Sequence, residues 1–206
     1  MNMKTNSSSR TGLISPDPLL QFIFAMFGLL TWLGTMVKMT PDAKLVMGIL
    51  QLALGTGAFV GSVLNLIKGD PHGNINLILS VILGFAGGVT QICAVAASAM
   101  KVHFHPWIMS VILLVGGLYM ACFLPLLNKK PFYMWCSHLF VVLGFLCNSL
   151  SDLLFVPFLK VIGAWCLFVF ALTGLYGGVS MMYMEAGESL PQGPTASDVL
   201  HHRSVK

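Results

Sequence analysis

Six long apolar segments, each closed off by Lys, Asp, Pro or Gly, constrain this chain more than any other feature of its sequence. They run at about Leu19 to Val37, Leu45 to Ile67, Ile75 to Met100, Trp107 to Leu127, Phe132 to Asp152 and Val161 to Met184. A spanning helix needs about 20 predominantly apolar residues. Inside hydrocarbon every backbone N–H and C=O must find a partner within the protein, and runs this long and this uniformly apolar satisfy that as helices. The fold class expected is an all-α membrane protein with six transmembrane helices. With 9% charged residues, 56% hydrophobic residues and a mean hydropathy of +0.85, the chain lies far from the roughly 25% charged composition of soluble domains. Six spans consume nearly the whole length, giving a polar amino terminus over 1–18, one transmembrane domain over 19–184 and a tail over 185–206.

The connections fit this division. Residues 38–44, 68–74, 101–106 and 128–131 gather Lys, Asp, Pro and Gly, and Pro106 and Pro131 suit helix starts, where a missing N–H is no loss. Pro157 interrupts the apolar run before the last segment, so Leu153 to Lys160 reads as a turn or a short re-entrant piece. Lys4, Arg10, Lys68, Lys129, Lys130, Arg203 and Lys206 fall on one side, and Lys38, Lys44, Lys101 and Lys160 on the other. The positive-inside rule then puts both termini in the cytoplasm of a multi-pass protein of the cell membrane. The amino-terminal stretch lacks the apolar core of a signal peptide and is expected to stay uncleaved. Beyond about Gly193 the tail is expected to be mobile. The net charge of +4 is scattered, which suits a lipid bilayer as partner and gives no support to nucleic acid. Cys93, Cys122, Cys136, Cys147 and Cys166 lie singly in apolar stretches and read as buried, inert thiols.

Small and weakly polar residues recur at helical spacing. Gln21, Phe24, Gly28, Thr31 and Thr35 share a face of the first span; Gly48, Gln51, Gly55, Ala58, Ser62 and Asn65 share one in the second. Asn76, Ser80, Gly84, Gly87, Gln91, Ala94 and Ser98 repeat the pattern in the third. Helices in lipid associate through small residues that let backbones approach, which accounts for Gly and Ala. The amides of Gln51, Asn65, Asn76, Gln91 and Asn148 need partners in hydrocarbon. Two readings stand for them: interhelical hydrogen bonds, or the lining of a polar solute path.

His138, Phe145, Asn148 and Asp152 fall on roughly one face of the fifth span, with Ser149 and Ser151 adjoining. His138 and Asp152 read as hydrogen-bonded interface residues or, less simply, as proton-coupling groups. They lie about four turns apart, too far to converge as an enzyme's acid and base, so no enzyme and no cofactor is expected. The His103-Phe104-His105 and His201-His202 clusters lack further ligands for a metal. The sixth span carries Thr173, Tyr176, Ser180 and Tyr183 beside several glycines; Tyr183 suits an interfacial anchor, and Tyr176 either a helix contact or the solute path.

With these residues in view the chain resembles the acetate uptake transporter family, the bacterial succinate-acetate permeases and yeast acetate transporters. Ser15-Pro16-Asp17-Pro18-Leu19 matches the family's Asn-Pro-x-Pro-Leu except for Ser in place of Asn. Gly69-Asp70-Pro71-His72-Gly73 stands where the family has Gly-Asn-x-Phe-Gly, and Leu190-Pro191-Gln192-Gly193 matches its Leu-Pro-x-Gly. The resemblance implies a six-helix protomer in a homo-hexameric ring, with a path narrowed by a phenylalanine, a tyrosine and a leucine. Phe24 matches the phenylalanine, and Leu139 is the candidate for the leucine. The tyrosine belongs between Ser80 and Gly84, where this sequence has none.

No Lys or Arg sits deep in a span, so a permeating carboxylate depends on amide, hydroxyl or backbone donors. An Asp at a helix centre costs about 2.5 to 3.5 kcal/mol. Protonating an acid of Glu-like pKa at pH 7 costs about 1.36 kcal/mol per unit over roughly 2.7 units, near 3.7 kcal/mol. The two costs are comparable, which admits anion passage and proton symport alike. The function expected is a transporter or channel for small monocarboxylates such as acetate; the alternative is a channel for a small neutral solute such as ammonia, urea or water. The substrate path expected comprises Phe24, Gln51, Asn65, Asn76, Ser80, Gln91, Leu139, Asn148 and Tyr176.

Overall fold

The computed structural model describes residues 15–105 and 107–201, the last without its side chain. The expected polar terminus falls mostly outside these residues, as do Pro106 and His202. Helices α1 (Asp17–Met36), α2 (Pro41–Ile67), α3 (His72–Ala99), α5 (Phe132–Leu153) and α6 (Pro157–Glu185) are each long and apolar enough to cross a membrane. Prolines open three of them: Pro18, Pro41 and Pro157 occupy the first turn, where their fixed φ suits the helix and no hydrogen bond is lost. The expected fourth span is cut short. Helix α4 (Trp107–Ala121) has 15 residues, about 22 Å at 1.5 Å per residue, against a hydrocarbon core of about 30 Å. Leu124–Leu127 is a 3₁₀ turn that carries Pro125, whose ring and missing N–H stop the α-helix from continuing. Between α5 and α6 there is no re-entrant piece: residues 154–156 turn the chain, with Phe155 at φ 56°, and α6 starts at Pro157.

The six helices close into a ring. α1 lies along α6, α6 along α5, and α5 along α4; α2 bridges α1 and α3. Where α3 meets α4 the contact is thin and falls mainly on residues 80–86. Neighbours approach at glycines. A Cβ on Gly84 would lie 2.5 Å from the Gly55 Cα, one on Gly48 2.9 Å from the Gly88 carbonyl oxygen, and one on Gly28 2.6 Å from the Leu167 carbonyl oxygen. Glycine is required at these contacts because backbone meets backbone. In lipid, where apolar burial offers no net gain, such close packing is a main source of helix association.

The middle of α3, Ser80–Ala86, is π-helical. A π segment carries an extra residue relative to the α-helical ladder, so the small-residue face expected along the third span does not stay on one side. Asn76 turns inward, Ser80 and Gly84 turn to α2, and Gly87 and Gln91 turn inward again, while Ser98 is exposed. The tail also differs from expectation. Phe132 N–H donates to the Pro194 carbonyl at 2.9 Å, Ala196 N–H to that of Lys130 at 3.0 Å, and Ser197 N–H to that of Asn128 at 2.8 Å. These bonds seat the short helix α7 (Ala196–His201) against the start of α5. The cysteines are not buried as expected: Cys93 and Cys122 are exposed and the other three half-buried.

Candidate permeation path

Two cavities lie within the ring, one from each end. The first, about 80 Å³, is lined by Gln21 and Phe24 of α1, His72 and Asn76 of α3, Ser137 and His138 of α5, and Thr173 of α6. The second, about 360 Å³, is lined by Thr31 and Thr35, Lys44 and Gln51, Thr90 and Gln91, Asn148 and Asp152, and Lys160. Helices α1, α3, α5 and α6 line both cavities, whereas α2 and α4 line the second alone. The α1 stripe runs along both, with Gly28 between them at the backbone contact with α6.

An apolar girdle separates the cavities. Phe24, Leu79, Val141 and Phe170 line the first, Ile82, Leu83 and Leu167 line the second, and all seven belong to one buried cluster. Leu167 and Phe170 are three residues apart on one helix, about 4.5 Å of rise, so the girdle is thin. The π segment supplies Ile82 and Leu83 to it. No tyrosine lies in this stretch of α3, and aliphatic side chains fill the wall.

Hydrogen-bond accounting separates the amides into two groups. Asn65 Nδ2 donates to Asp17 Oδ1 at 2.5 Å, and Asn148 Nδ2 donates to the Gly144 carbonyl at 2.7 Å. Gln51 is 4% exposed and its Oε1 has no partner. Its amide lies over Gly87, where a Cβ would come 3.6 Å from Nε2 and 3.7 Å from Oε1. A buried acceptor without a donor costs about 1–3 kcal/mol. That cost makes Gln51 a poor structural choice and a good cavity wall. Three hydroxyl protons of the lining are committed elsewhere: Thr31, Thr35 and Thr173 each donate to a carbonyl of their own helix. Donors for a solute therefore include the amide nitrogens, with Ser137 in the first cavity and Thr90 and Lys44 in the second.

The ionisable pair of α5 is divided between the two ends. In the first cavity His138 Nε2 lies 2.8 Å from the Met120 carbonyl oxygen; a carbonyl only accepts, so Nε2 carries the proton and Nδ1 is the basic nitrogen. At the second cavity Asp152 accepts from Ser110 Oγ at 2.8 Å through Oδ2 and pairs with Lys160 Nζ at 3.1 Å through Oδ1. Four expected path residues line neither cavity. Asn65 is tied to Asp17, and Ser80 Oγ donates to the Asn76 carbonyl at 2.7 Å beside Ser62. Leu139 is half-buried elsewhere on α5. Tyr176 donates its hydroxyl to the Pro191 carbonyl and packs edge-on to Tyr133. Lys44 and Lys160, assigned from sequence to loops, do line the second cavity; each lies three residues after its helix start, which carried no signal of that. Among the described residues no group of three or more His, Cys, Asp or Glu is placed to hold a metal.

No family model matches the sequence, and no curated protein matches it. Among solved structures the bacterial acetate channel SatP matches 89% of this chain and 99% of its own, at a TM-score of 0.70 and 15% identity. The two chains share a fold. That fold is an all-helical membrane bundle, and it extends over essentially the whole of the SatP chain.

Proposed function

We propose that this protein is a channel or transporter for small monocarboxylates, acetate among them, in the cell membrane. The observation that carries this reading is the pair of polar cavities separated by a thin apolar girdle, with Gln51 held in the wall without a partner for its oxygen. The shared fold with SatP, a channel for acetate, supports the same solute class. Asn76 and Gln21 receive the carboxylate in one cavity, Gln51 and Gln91 in the other, and Phe24 stands at the girdle between them. Since the girdle offers no cation, the acid crosses it together with a proton, with His138 in one cavity and Asp152 in the other as the proton-coupling groups. The protomers form a homo-hexamer, as the family resemblance implies, with both termini cytoplasmic, as the distribution of Lys and Arg implies.

The reading is tested in proteoliposomes with radiolabelled acetate. Uptake above protein-free vesicles, with co-movement of protons reported by an internal pH dye, is the expected result. Uptake of acetate, formate, lactate and succinate no faster than in empty vesicles sinks it. The absent tyrosine favours the neutral-solute alternative, and vesicle swelling in urea measured beside acetate uptake separates the two.

A further inference from the structure

The second cavity has a charge arrangement of which the path reading uses only Asp152. Among the described residues, two cations line it, Lys44 in the first turn of α2 and Lys160 in the first turn of α6. Lys160 is engaged by Asp152, whose other oxygen is held by Ser110. Lys44 has no carboxylate partner among the described residues. Lys38 and Lys101, at the same end of the ring, line neither cavity. One unneutralised positive charge thus stands at the mouth, and the wall deeper in is uncharged, with the 4%-exposed, unpartnered amide of Gln51 among its groups. A cation at the rim of a low-dielectric cleft focuses field and raises the local concentration of anions.

We propose that Lys44 is the capture residue of this mouth: it holds the carboxylate of an arriving monocarboxylate before the solute passes to Gln51 and Gln91. This rests on the carboxylate reading above. The ammonium is suited to the task because its three donors sit on a flexible four-carbon stem, so it binds without fixing the anion in one geometry. Lys160 is a second cation held back by Asp152. An anion reaches it only by competing with that carboxylate, so Lys44 sets the affinity and Asp152 limits it.

The test measures acetate uptake into proteoliposomes as a function of concentration. For Lys44→Gln the half-saturating concentration rises about fivefold at low ionic strength, the loss of one charge contact in water, while the maximal rate is kept. The difference disappears between about 0.01 M and about 1 M salt, as the Debye length falls from about 30 Å to about 3 Å. Lys44→Arg restores the wild-type value, Lys38→Gln leaves it unchanged, and Asp152→Asn moves it in the opposite direction by freeing Lys160. An unchanged half-saturation in Lys44→Gln at low salt overturns the proposal. So does a rise that persists in high salt and is not restored by Arg, which marks a structural role. Wild-type protein that moves no acetate fails the carboxylate reading itself, whereas wild-type uptake with an indifferent Lys44 fails this proposal alone.

Discussion

Asn65, in the last turn of α2, donates from Nδ2 to Oδ1 of Asp17, in the first turn of α1, at 2.5 Å. Ser15 Oγ donates to the other oxygen at 2.8 Å, so both carboxylate oxygens of a half-buried group are engaged by short side chains. The bond ties two helix ends together across 48 residues of chain. It also explains why Asn65, which shares a face with Gln51, does not share its role.

Asn65→Leu therefore acts on stability. Removing one donor from a half-buried carboxylate costs about 1–3 kcal/mol. Thermal unfolding in detergent should shift down accordingly, while uptake per folded molecule stays at the wild-type value. A variant that folds normally and no longer transports would put Asn65 in the path after all.

The lining amides give the opposite pattern. Asn76 and Gln91 each line a cavity, so Asn76→Leu and Gln91→Leu should each lower acetate uptake at least about tenfold, the worth of one lost charge-assisted hydrogen bond, with little change in unfolding temperature. Ser62 is fully buried, and its Oγ donates to the Ala58 carbonyl at 2.6 Å. Ser62→Ala removes an own-helix bond and a long 3.4 Å contact with Ser80 Oγ, neither of them in a cavity, and should leave uptake within about twofold of wild type.

The spans were legible in the sequence because length and hydropathy are one-dimensional properties, and five of six segments became spanning helices within about four residues of their expected ends. The shortening of α4 was legible in principle at Pro125, inside the expected fourth segment. The π segment was not, since nothing in Ser80–Ala86 distinguishes a π turn from an α turn until Gly84 meets Gly55. Periodicity identified faces but could not divide them: Gly48, Gly55 and Ser62 pack against α3, and Gln51, on the same face, lines a cavity. Tyr176 illustrates the limit most clearly, because its partner is the Pro191 carbonyl, in the tail beyond the last span, which helical periodicity does not reach.

That contact is itself testable. Gln192 Nε2 donates to Ser180 Oγ at 3.2 Å beside it, so Tyr176→Phe should loosen the segment between α6 and α7. Limited proteolysis of the tail should speed up, and acetate uptake should not change. Loss of uptake with an intact tail would return Tyr176 to the solute path.

The glycine seam predicts a contrast between two substitutions. A Cβ on Gly84 would lie 2.5 Å from the Gly55 Cα, whereas one on Gly57 meets only the end of Ile23 at 3.5 Å. Gly84→Ala must push two backbones apart, and should destabilise by about 1–3 kcal/mol as overpacking does. Gly57→Ala should gain about 0.5–1 kcal/mol from reduced chain freedom. Unfolding in detergent, read by loss of helical circular dichroism, ranks the three proteins. Equal stability of the two variants would mean that the seam is not closely packed.

Phe24 carries the sharpest prediction about selectivity. It is 1% exposed, borders the first cavity and packs in the girdle cluster beside Phe27, with ring centroids 6.4 Å apart. Because the girdle is only about one turn thick, removing one ring should join the cavities. Truncation to Ala risks the fold, since Phe→Ala in a core costs about 3–5 kcal/mol, so Phe24→Leu is the informative change. It keeps an apolar wall and removes the aromatic bulk. Uptake of a larger acid such as benzoate should then rise relative to acetate, whereas the absolute acetate rate should change little, because the smaller acid already passes. If Phe24→Leu lowers both rates in proportion, the ring acts through packing of α1 against α6. If benzoate alone gains, Phe24 sets the width of the path, and the aliphatic wall formed by Leu79, Ile82 and Leu83 sets what remains.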